Sequence, residues 1–116
     1  MNGYHDDIEQ QTIGNDDFRR VLYTGKTLQL VLMTLQPGEE IGAEVHIDDN
    51  IYDVVDGSGL IVPAGARHNV RNTGDAPLKM YTLYGPPEHL DGITQATKAD
   101  AEARHHDEEW DGKTTE

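Results

Sequence analysis

Cysteine is absent from the 116-residue chain, so it has neither disulfide bonds nor thiolate metal sites. Basic residues are few: 9 Lys and Arg stand against 22 Asp and Glu, a formal net charge of −13. Phosphate contacts need clustered Lys and Arg, so nucleic acid and anionic membranes are poor partners. Apolar runs are short, none approaching the roughly 20 residues that span a bilayer. The N-terminal stretch also lacks the apolar core of a signal peptide, and we expect a soluble, cytoplasmic protein.

Short apolar runs separated by turn residues fill the middle of the chain. A chain of this length is typical of one domain with a single core. The run over 28–35 is almost continuously apolar, which predicts a strand covered on both faces. In the run over 78–84, Met80, Tyr81 and Tyr84 are expected in the core. The pattern predicts an all-β sandwich or barrel with strands over 18–25, 28–35, 40–47, 51–55, 60–62, 68–72 and 78–84.

The two ends of the chain differ in composition from the middle. Residues 1–17 are polar and mixed, which predicts an N-terminal arm of irregular structure or with one short edge strand. Residues 18–95 carry the predicted strands and form the expected barrel. Residues 96–116 form a C-terminal helix and acidic tail, with the helix predicted over 97–110, because helix formers follow Thr97, a favourable first cap.

Three side chains suggest a metal site. Glu44 and His46 are two residues apart on a predicted strand, so their side chains point to the same face. His68 opens a later strand, just after a turn over 63–65. A carboxylate and two imidazoles that converge inside a barrel suit Mn²⁺, Fe²⁺, Co²⁺, Ni²⁺ or Zn²⁺. The spacing leaves a second interpretation open, in which each histidine is a hydrogen-bonded or exposed residue of a half-buried strand.

The stretch GSGLIVPAGARHNVRN, residues 57–72, fits the second cupin motif, G-x5-P-x-G-x2-H-x3-N, at every fixed position. These positions are Gly57, Pro63, Gly65, His68 and Asn72.

Upstream, PGEEIGAEVH fits the first half of the first cupin motif, G-x5-H-x-H. Gly38 and His46 are in place, and Glu44 stands where the first histidine usually is. The chain therefore resembles the small single-domain cupins labelled cupin-2 or mannose-6-phosphate-isomerase-like, over residues 4–105.

This resemblance implies an antiparallel cupin (jelly-roll) β-barrel with a divalent transition metal near its centre. Glu44, His46 and His68 would be the ligands, and Asn72 would fasten the turn. The metal would serve isomerase- or dioxygenase-type chemistry on a small polar metabolite, although fold does not fix function and the substrate and enzymatic status stay open. The alternative is a non-catalytic shortened cupin that acts as a binding or assembly module, or an engineered scaffold.

The chain departs from the cupin pattern after His46. Five residues further on, where the family carries a Glu or Gln ligand, stands Ile51, which cannot ligate. The family places about two more strands before the second motif, on the order of 20 residues. We interpret the gap as an internal deletion, natural or engineered, that shortens the barrel by about two strands. Asp48 or Asp49 could replace the lost ligand, or the site could have lost its metal altogether.

The deletion also predicts self-association. Removing a hairpin leaves strand edges unpaired, and exposed edges recruit other strands. We therefore expect a homodimer, with strand exchange between protomers as one arrangement.

Three further histidines lie near the C-terminus. His89 follows the last predicted strand and is interpreted as a surface-loop residue, with a lid or rim position as the alternative. His105 and His106 lie in the acidic tail and are interpreted as solvated side chains, although together with Asp107 and Glu108 they could pick up an adventitious metal.

Overall fold

The computed structural model describes residues 3–41, 45–46 and 56–116; the side chains of residues 45, 46 and 67 lie outside the description. Its elements, in chain order, are α1 (Ile8–Gly14), β1 (Arg19–Thr24), β2 (Gln29–Leu35), β3 (Val45–His46), β4 (Arg67–His68), β5 (Leu78–Tyr84), β6 (Thr94–Gln95) and α2 (Lys98–Ala103). The predicted strand over 51–55 falls outside the described residues.

Strand β2 lies at the centre of the main sheet. It pairs antiparallel with β1 on one side and β5 on the other, and the sheet order is β5-β2-β1-β6. All of its side chains except that of Leu30 are buried. The prediction of a strand covered on both faces is therefore confirmed, and so are the predicted strands that became β1 and β5.

One face of β2 forms the hydrophobic core. Val31, Met33 and Leu35 are fully buried there. Full burial of one such side chain contributes about 1.5–3 kcal/mol. The other buried members of the core are Phe18, Val21 and Ala101. Partly buried side chains pack against this core: Ile41, Val70, Leu78, Met80, Tyr84 and Ile93.

Of the β5 residues expected in the core, Met80 and Tyr84 pack there, but Tyr81 is 51% exposed. Side chains alternate between the faces of a strand, so Tyr81 faces away from the side on which Met80 packs. The expectation for Tyr81 was wrong.

The two motif segments pair beside this sheet. Backbone hydrogen bonds join Ile41 N to the Val70 carbonyl and Asn72 N to the Glu39 carbonyl, at 3.0 and 2.9 Å. Further along, β3 and β4 form a two-stranded antiparallel ladder. The first motif therefore lies alongside the second, as one barrel requires. This arrangement is mostly antiparallel sheet with two short helices.

Asn72 fastens the second motif to the main sheet. Its side chain is almost fully buried and makes three hydrogen bonds. Nδ2 donates to the carbonyls of Leu35 and Ala76, at 2.9 and 2.8 Å, and Oδ1 accepts from Gly74 N at 3.0 Å. Asn72 therefore joins the end of β2 to the turn before β5, which confirms its structural role.

The N-terminal arm contains a helix, where the sequence predicts irregular structure. The Asp7 side chain caps α1 by accepting from Gln10 N at 3.1 Å, and Thr12 Oγ1 donates to the Ile8 carbonyl at 2.6 Å. A cap of this kind satisfies an N–H that the first helical turn leaves unpaired. A single cap in a polar segment is a weak signal, and the expectation was wrong.

The C-terminal helix is shorter than predicted. It begins after Thr97, whose side chain accepts from Asp100 N at 3.1 Å, and it ends before Arg104. Beyond the following turns the backbone pairs with the loop after β5, through Leu90 N to the Glu108 carbonyl at 2.9 Å. This pairing needs extended backbone, so the helix cannot reach residue 110.

The predicted strand over 60–62 is not formed. Leu60 and Ile61 are 52% and 91% exposed, and the described residues form no ladder with this segment. An apolar run becomes a strand only when a neighbour pairs with it. The neighbour expected from the sequence, residues 51–55, lies outside the described residues.

Replacing Asn72 by alanine should destabilise the fold by about 1–3 kcal/mol, because buried carbonyl groups lose their donor. Urea denaturation should show a lower midpoint with an unchanged slope. Asn69 is the matched control: it is exposed and donates to Glu40 Oε2 at 2.9 Å. Asn69→Ala should cost less than about 0.5 kcal/mol. Equal costs for the two variants would contradict the role assigned to Asn72.

Candidate functional site

His68 lies on β4, directly after the turn of the second motif. Ala66 N donates to the Pro63 carbonyl at 3.1 Å and closes this turn. The His68 side chain is exposed, and its Nδ1 lies 3.3 Å from the Ala66 carbonyl oxygen. With the proton on Nδ1, that nitrogen donates to the carbonyl and Nε2 keeps a lone pair. Metal-binding histidines are commonly oriented in this way.

His46 reaches the same ladder from the first motif. The β3–β4 register pairs Val45 with His68 and His46 with Arg67. Positions 46 and 68 therefore lie on two paired strands but are offset by one residue, whereas it is directly paired positions that share a face of a regular ladder. The register places two of the three predicted ligand positions on one short ladder, and their joint role as ligands stays a prediction.

The other predicted ligands lie outside the described residues. Glu44 falls there, as do Asp48 and Asp49, the two residues that could replace the missing ligand. The geometry of the complete ligand set therefore stays a prediction.

Glycines of the motifs occupy backbone conformations that suit glycine. The φ angles of Gly38, Gly57 and Gly65 are 82°, 83° and 75°. Residues with a Cβ atom adopt this left-handed region only with strain. Backbone geometry therefore accounts for these fixed positions, and hydrogen bonding accounts for Asn72.

His89 is a half-buried residue that holds a loop, which corrects its interpretation as a surface-loop residue. Its ring packs edge-on against Tyr84, with 5.3 Å between ring centroids. Its backbone N–H donates to Gln29 Oε1 at 3.1 Å, and its carbonyl accepts from Gln29 Nε2 at 2.7 Å. Gln29 is fully buried at the start of β2, so the loop is fastened to the central strand. Gln29 and His89 are 60 residues apart, so no local sequence pattern could have predicted these contacts.

Burial dominates the electrostatics around His89. Burial, with the nearby Arg19 guanidinium, lowers the pKa of His89 to about 3. Burial also lowers the pKa of Arg19. Arg19 Nη1 donates to Gln95 Oε1 at 2.7 Å, but Arg19 Nε and His89 Nε2 are buried without a hydrogen-bond partner among the described residues. Buried, unpaired polar atoms of this kind are costly and often mark a water or ligand position.

A surface cavity of about 320 Å³ lies beside His89. It is lined by Pro87, Glu88, His89, His105, Glu109 and Trp110. Carboxylate and imidazole groups dominate its polar lining, so the cavity favours cations or neutral polar molecules over anions. The sequence gives no local signal for it, because its walls come from two segments that pair only in the fold.

His89 should make the protein less stable in acid. Its folded pKa lies below the unfolded value, so its contribution is fully present above about pH 6.5 and is lost as the pH falls towards 3. Because one proton is taken up on unfolding, the free energy of unfolding falls by up to about 1.4 kcal/mol for each pH unit in this range. Between pH 6.5 and 4, the free energy of unfolding of His89→Gln should fall less steeply than that of the wild type.

His5→Gln is the control for this comparison, because His5 is exposed. It should keep the wild-type slope in urea denaturation at each pH. A His89→Gln slope equal to that of the wild type would contradict the neutral, buried state of His89.

Among the described residues, no helix is long and apolar enough to cross a membrane.

Comparison with known proteins agrees with this fold. Residues 42–84 match the family described as Cupin_2, cupin domain. An uncharacterized protein of Bacillus subtilis, YrkC, is 40% identical over 83% of this chain and 64% of its own length. The uncharacterized protein L612 of Acanthamoeba polyphaga mimivirus is 31% identical over 73% of this chain and 66% of its own. The chain spans about two thirds of the length of both relatives.

The two relatives carry extra residues inside the matched region. With YrkC, 83% of 116 residues is about 96 residues, against 119 aligned positions, so about 23 positions have no counterpart here. With L612, 73% is about 85 residues against 106 positions, a difference of about 21. This chain is therefore shorter than both relatives by close to 20 residues within the aligned region.

A solved structure is also similar. The crystal structure of BH2720 from Bacillus halodurans, at 1.41 Å resolution, is 39% identical in sequence with a TM-score of 0.79. The similarity covers 88% of this chain and 95% of that one. Together with the match to the cupin domain and the paired motif segments, it shows that the chain belongs to the cupin family.

Proposed function

We propose that this cupin binds a divalent transition metal through Glu44, His46 and His68. The environment of His68 carries the proposal. Backbone conformation explains Gly57 and Gly65 in the second motif, and buried hydrogen bonds explain Asn72. His68, by contrast, is exposed, and its Nδ1 contact with a carbonyl orients the ring without using Nε2. Metal binding would explain why the motif has a histidine at this position.

The donor set fits such a metal. One carboxylate and two imidazoles are the usual ligands of borderline divalent ions, and three protein ligands leave positions open for water or substrate. A bound ion would supply Lewis-acid polarisation of a substrate oxygen. The residues of this chain would hold the ion at the β3–β4 ladder, and the Ala66 carbonyl would fix the orientation of the His68 ring.

The reaction class follows from family resemblance. We place the chain near the mannose-6-phosphate-isomerase-like cupins, with isomerase- or dioxygenase-type chemistry on a small polar metabolite. The difference of about 20 residues from both relatives supports an internal deletion, which we place between His46 and Gly57. The fourth cupin ligand would be lost with it, leaving a site of three protein ligands.

Elemental analysis of the tag-free protein tests this proposal. A His105→Ala/His106→Ala background removes the exposed tail histidines as a second source of metal. In that background we expect about one transition metal per chain. Adding His46→Ala and His68→Ala should abolish it, whereas His5→Ala should leave it unchanged. Absence of metal after incubation with Mn²⁺, Fe²⁺, Ni²⁺ and Zn²⁺ would contradict the proposal.

Exposed apolar side chains favour a second function, self-assembly. Tyr81 and Leu83 are 51% and 58% exposed on one face of β5. In the part of the chain that the structure describes, β5 pairs only with β2, so its other edge is open. Open edges and apolar faces recruit partners. We propose that a second copy of the chain covers this face in a homodimer, with or without strand exchange.

Size-exclusion chromatography with light scattering measures this association. The wild type should run as a dimer at about 100 μM, and Leu83→Lys should weaken the dimer at least about 10-fold, because a charge would be buried at the interface. Leu60→Lys is the matched control, because Leu60 is 52% exposed and lies outside the main sheet. A wild-type monomer at high concentration would rule out the dimer.

A further inference from the structure

We infer that His105, His106 and Glu109, here called the tail triad, form a second divalent metal site of this chain. One ligand atom from each residue lies within 4.8 Å of the other two. His105 Nε2 and His106 Nδ1 are each 4.0 Å from Glu109 Oε1. The inference is independent of the barrel site, since it uses other residues on another part of the fold.

These separations are compatible with a shared ion. Zn²⁺ lies about 2.0–2.1 Å from an imidazole nitrogen, so two atoms bound to one ion are at most about 4.2 Å apart. The two histidine–glutamate distances are inside this limit. All three side chains are exposed, so small rotations can shorten these distances.

Local backbone structure sets the spacing. His105 and Glu109 are four residues apart and His106 and Glu109 three, the spacings that bring side chains together on a helical turn. Hydrogen-bonded turns follow α2, with Glu108 N donating to the Arg104 carbonyl at 3.0 Å. The turn conformation therefore presents the triad on one side of the tail.

The loop after β5 also holds the backbone of Glu109. Its backbone forms a β-bridge with His89, and the neighbouring Trp110 N donates to the Glu88 carbonyl at 3.0 Å. The loop after β5 thus fixes the backbone position of one ligand. A metal bound by the triad would connect this fixed position to the turns that follow α2.

The charge distribution favours a cation at this site. Arg104 is engaged with Asp100 and Glu108, at 3.8 and 3.3 Å. Within the described residues, the basic side chains that lie within 4.0 Å of the Glu109 carboxylate are His105 and His106. No Lys or Arg among those residues therefore pairs with the Glu109 carboxylate, and the net charge of −13 attracts divalent cations.

The triad stands at the cavity beside His89. His105 and Glu109 line it together with Trp110, and its volume of about 320 Å³ leaves room for water ligands. The ligand types, imidazole and carboxylate, fit Ni²⁺, Co²⁺ or Zn²⁺. From the sequence, the tail histidines are expected to be solvated, or to pick up an adventitious metal with Asp107 and Glu108. The structure instead groups them with Glu109.

Trp110 makes the site measurable by fluorescence. It is the only tryptophan in the sequence and lines the same cavity as two of the ligands. An open-shell ion such as Ni²⁺ quenches a nearby indole at short range. Titrating the 116-residue chain with NiCl₂ should therefore quench the Trp110 fluorescence saturably. Both His105→Ala/His106→Ala and Glu109→Gln should shift the midpoint at least about 10-fold upwards, the size of loss that a disturbed metal site shows.

Two controls separate this site from the barrel. His46→Ala/His68→Ala should leave the Trp110 quenching unchanged, and so should Asp107→Asn, an exposed tail carboxylate outside the triad. Urea denaturation monitors folding of each variant. Quenching that is equal in wild type and His105→Ala/His106→Ala, that is lost in His46→Ala/His68→Ala, or that has a millimolar midpoint typical of an adventitious ion only, would overturn the inference.

Discussion

The side-chain amide of Asn72 is the constraint on which the arrangement of the motifs depends. It joins the end of β2, the most buried strand, to the turn before β5. Its backbone joins the same point to the first motif, through Gly38 N and the Glu39 carbonyl, each at 2.9 Å. One residue therefore fixes where both motif segments leave the main sheet. Positions 46 and 68 meet on a common ladder because their segments are aligned at this point.

The fold contains two kinds of polar environment. Around Arg19, Tyr84 and His89, burial decides the chemistry, since it holds His89 neutral and leaves polar atoms unpaired. At His68 the side chain is exposed, and the turn that precedes it orients its ring. The proposed metal chemistry uses the second environment, in which the Nε2 atom of His68 is not taken up by the contact between Nδ1 and the Ala66 carbonyl oxygen. The first environment is structural and makes the domain sensitive to acid.

How much could be predicted from the sequence depended on the range of the interactions. Strand β2 was predictable because its own residues are apolar, and the turn at Gly65 because glycine tolerates its φ of 75°. The absence of a strand at Leu60 could not be predicted, since an apolar run forms a strand only when a neighbouring strand pairs with it. The burial of His89 could not be predicted either, because it depends on Gln29, sixty residues away. Predicted ligand positions 46 and 68 share a ladder, while the position of Glu44 lies outside the described residues.

The central claim is that a cupin shortened between its two motifs still holds a metal with three protein ligands. A crystal structure of the Ni²⁺-soaked protein, with an anomalous difference map at the nickel edge, tests it most directly. The account predicts a peak about 2.1 Å from a nitrogen of His46 and of His68, with a Glu44 carboxylate oxygen at a similar distance. A fully occupied peak at His105 and Glu109, with none between positions 46 and 68, would contradict it.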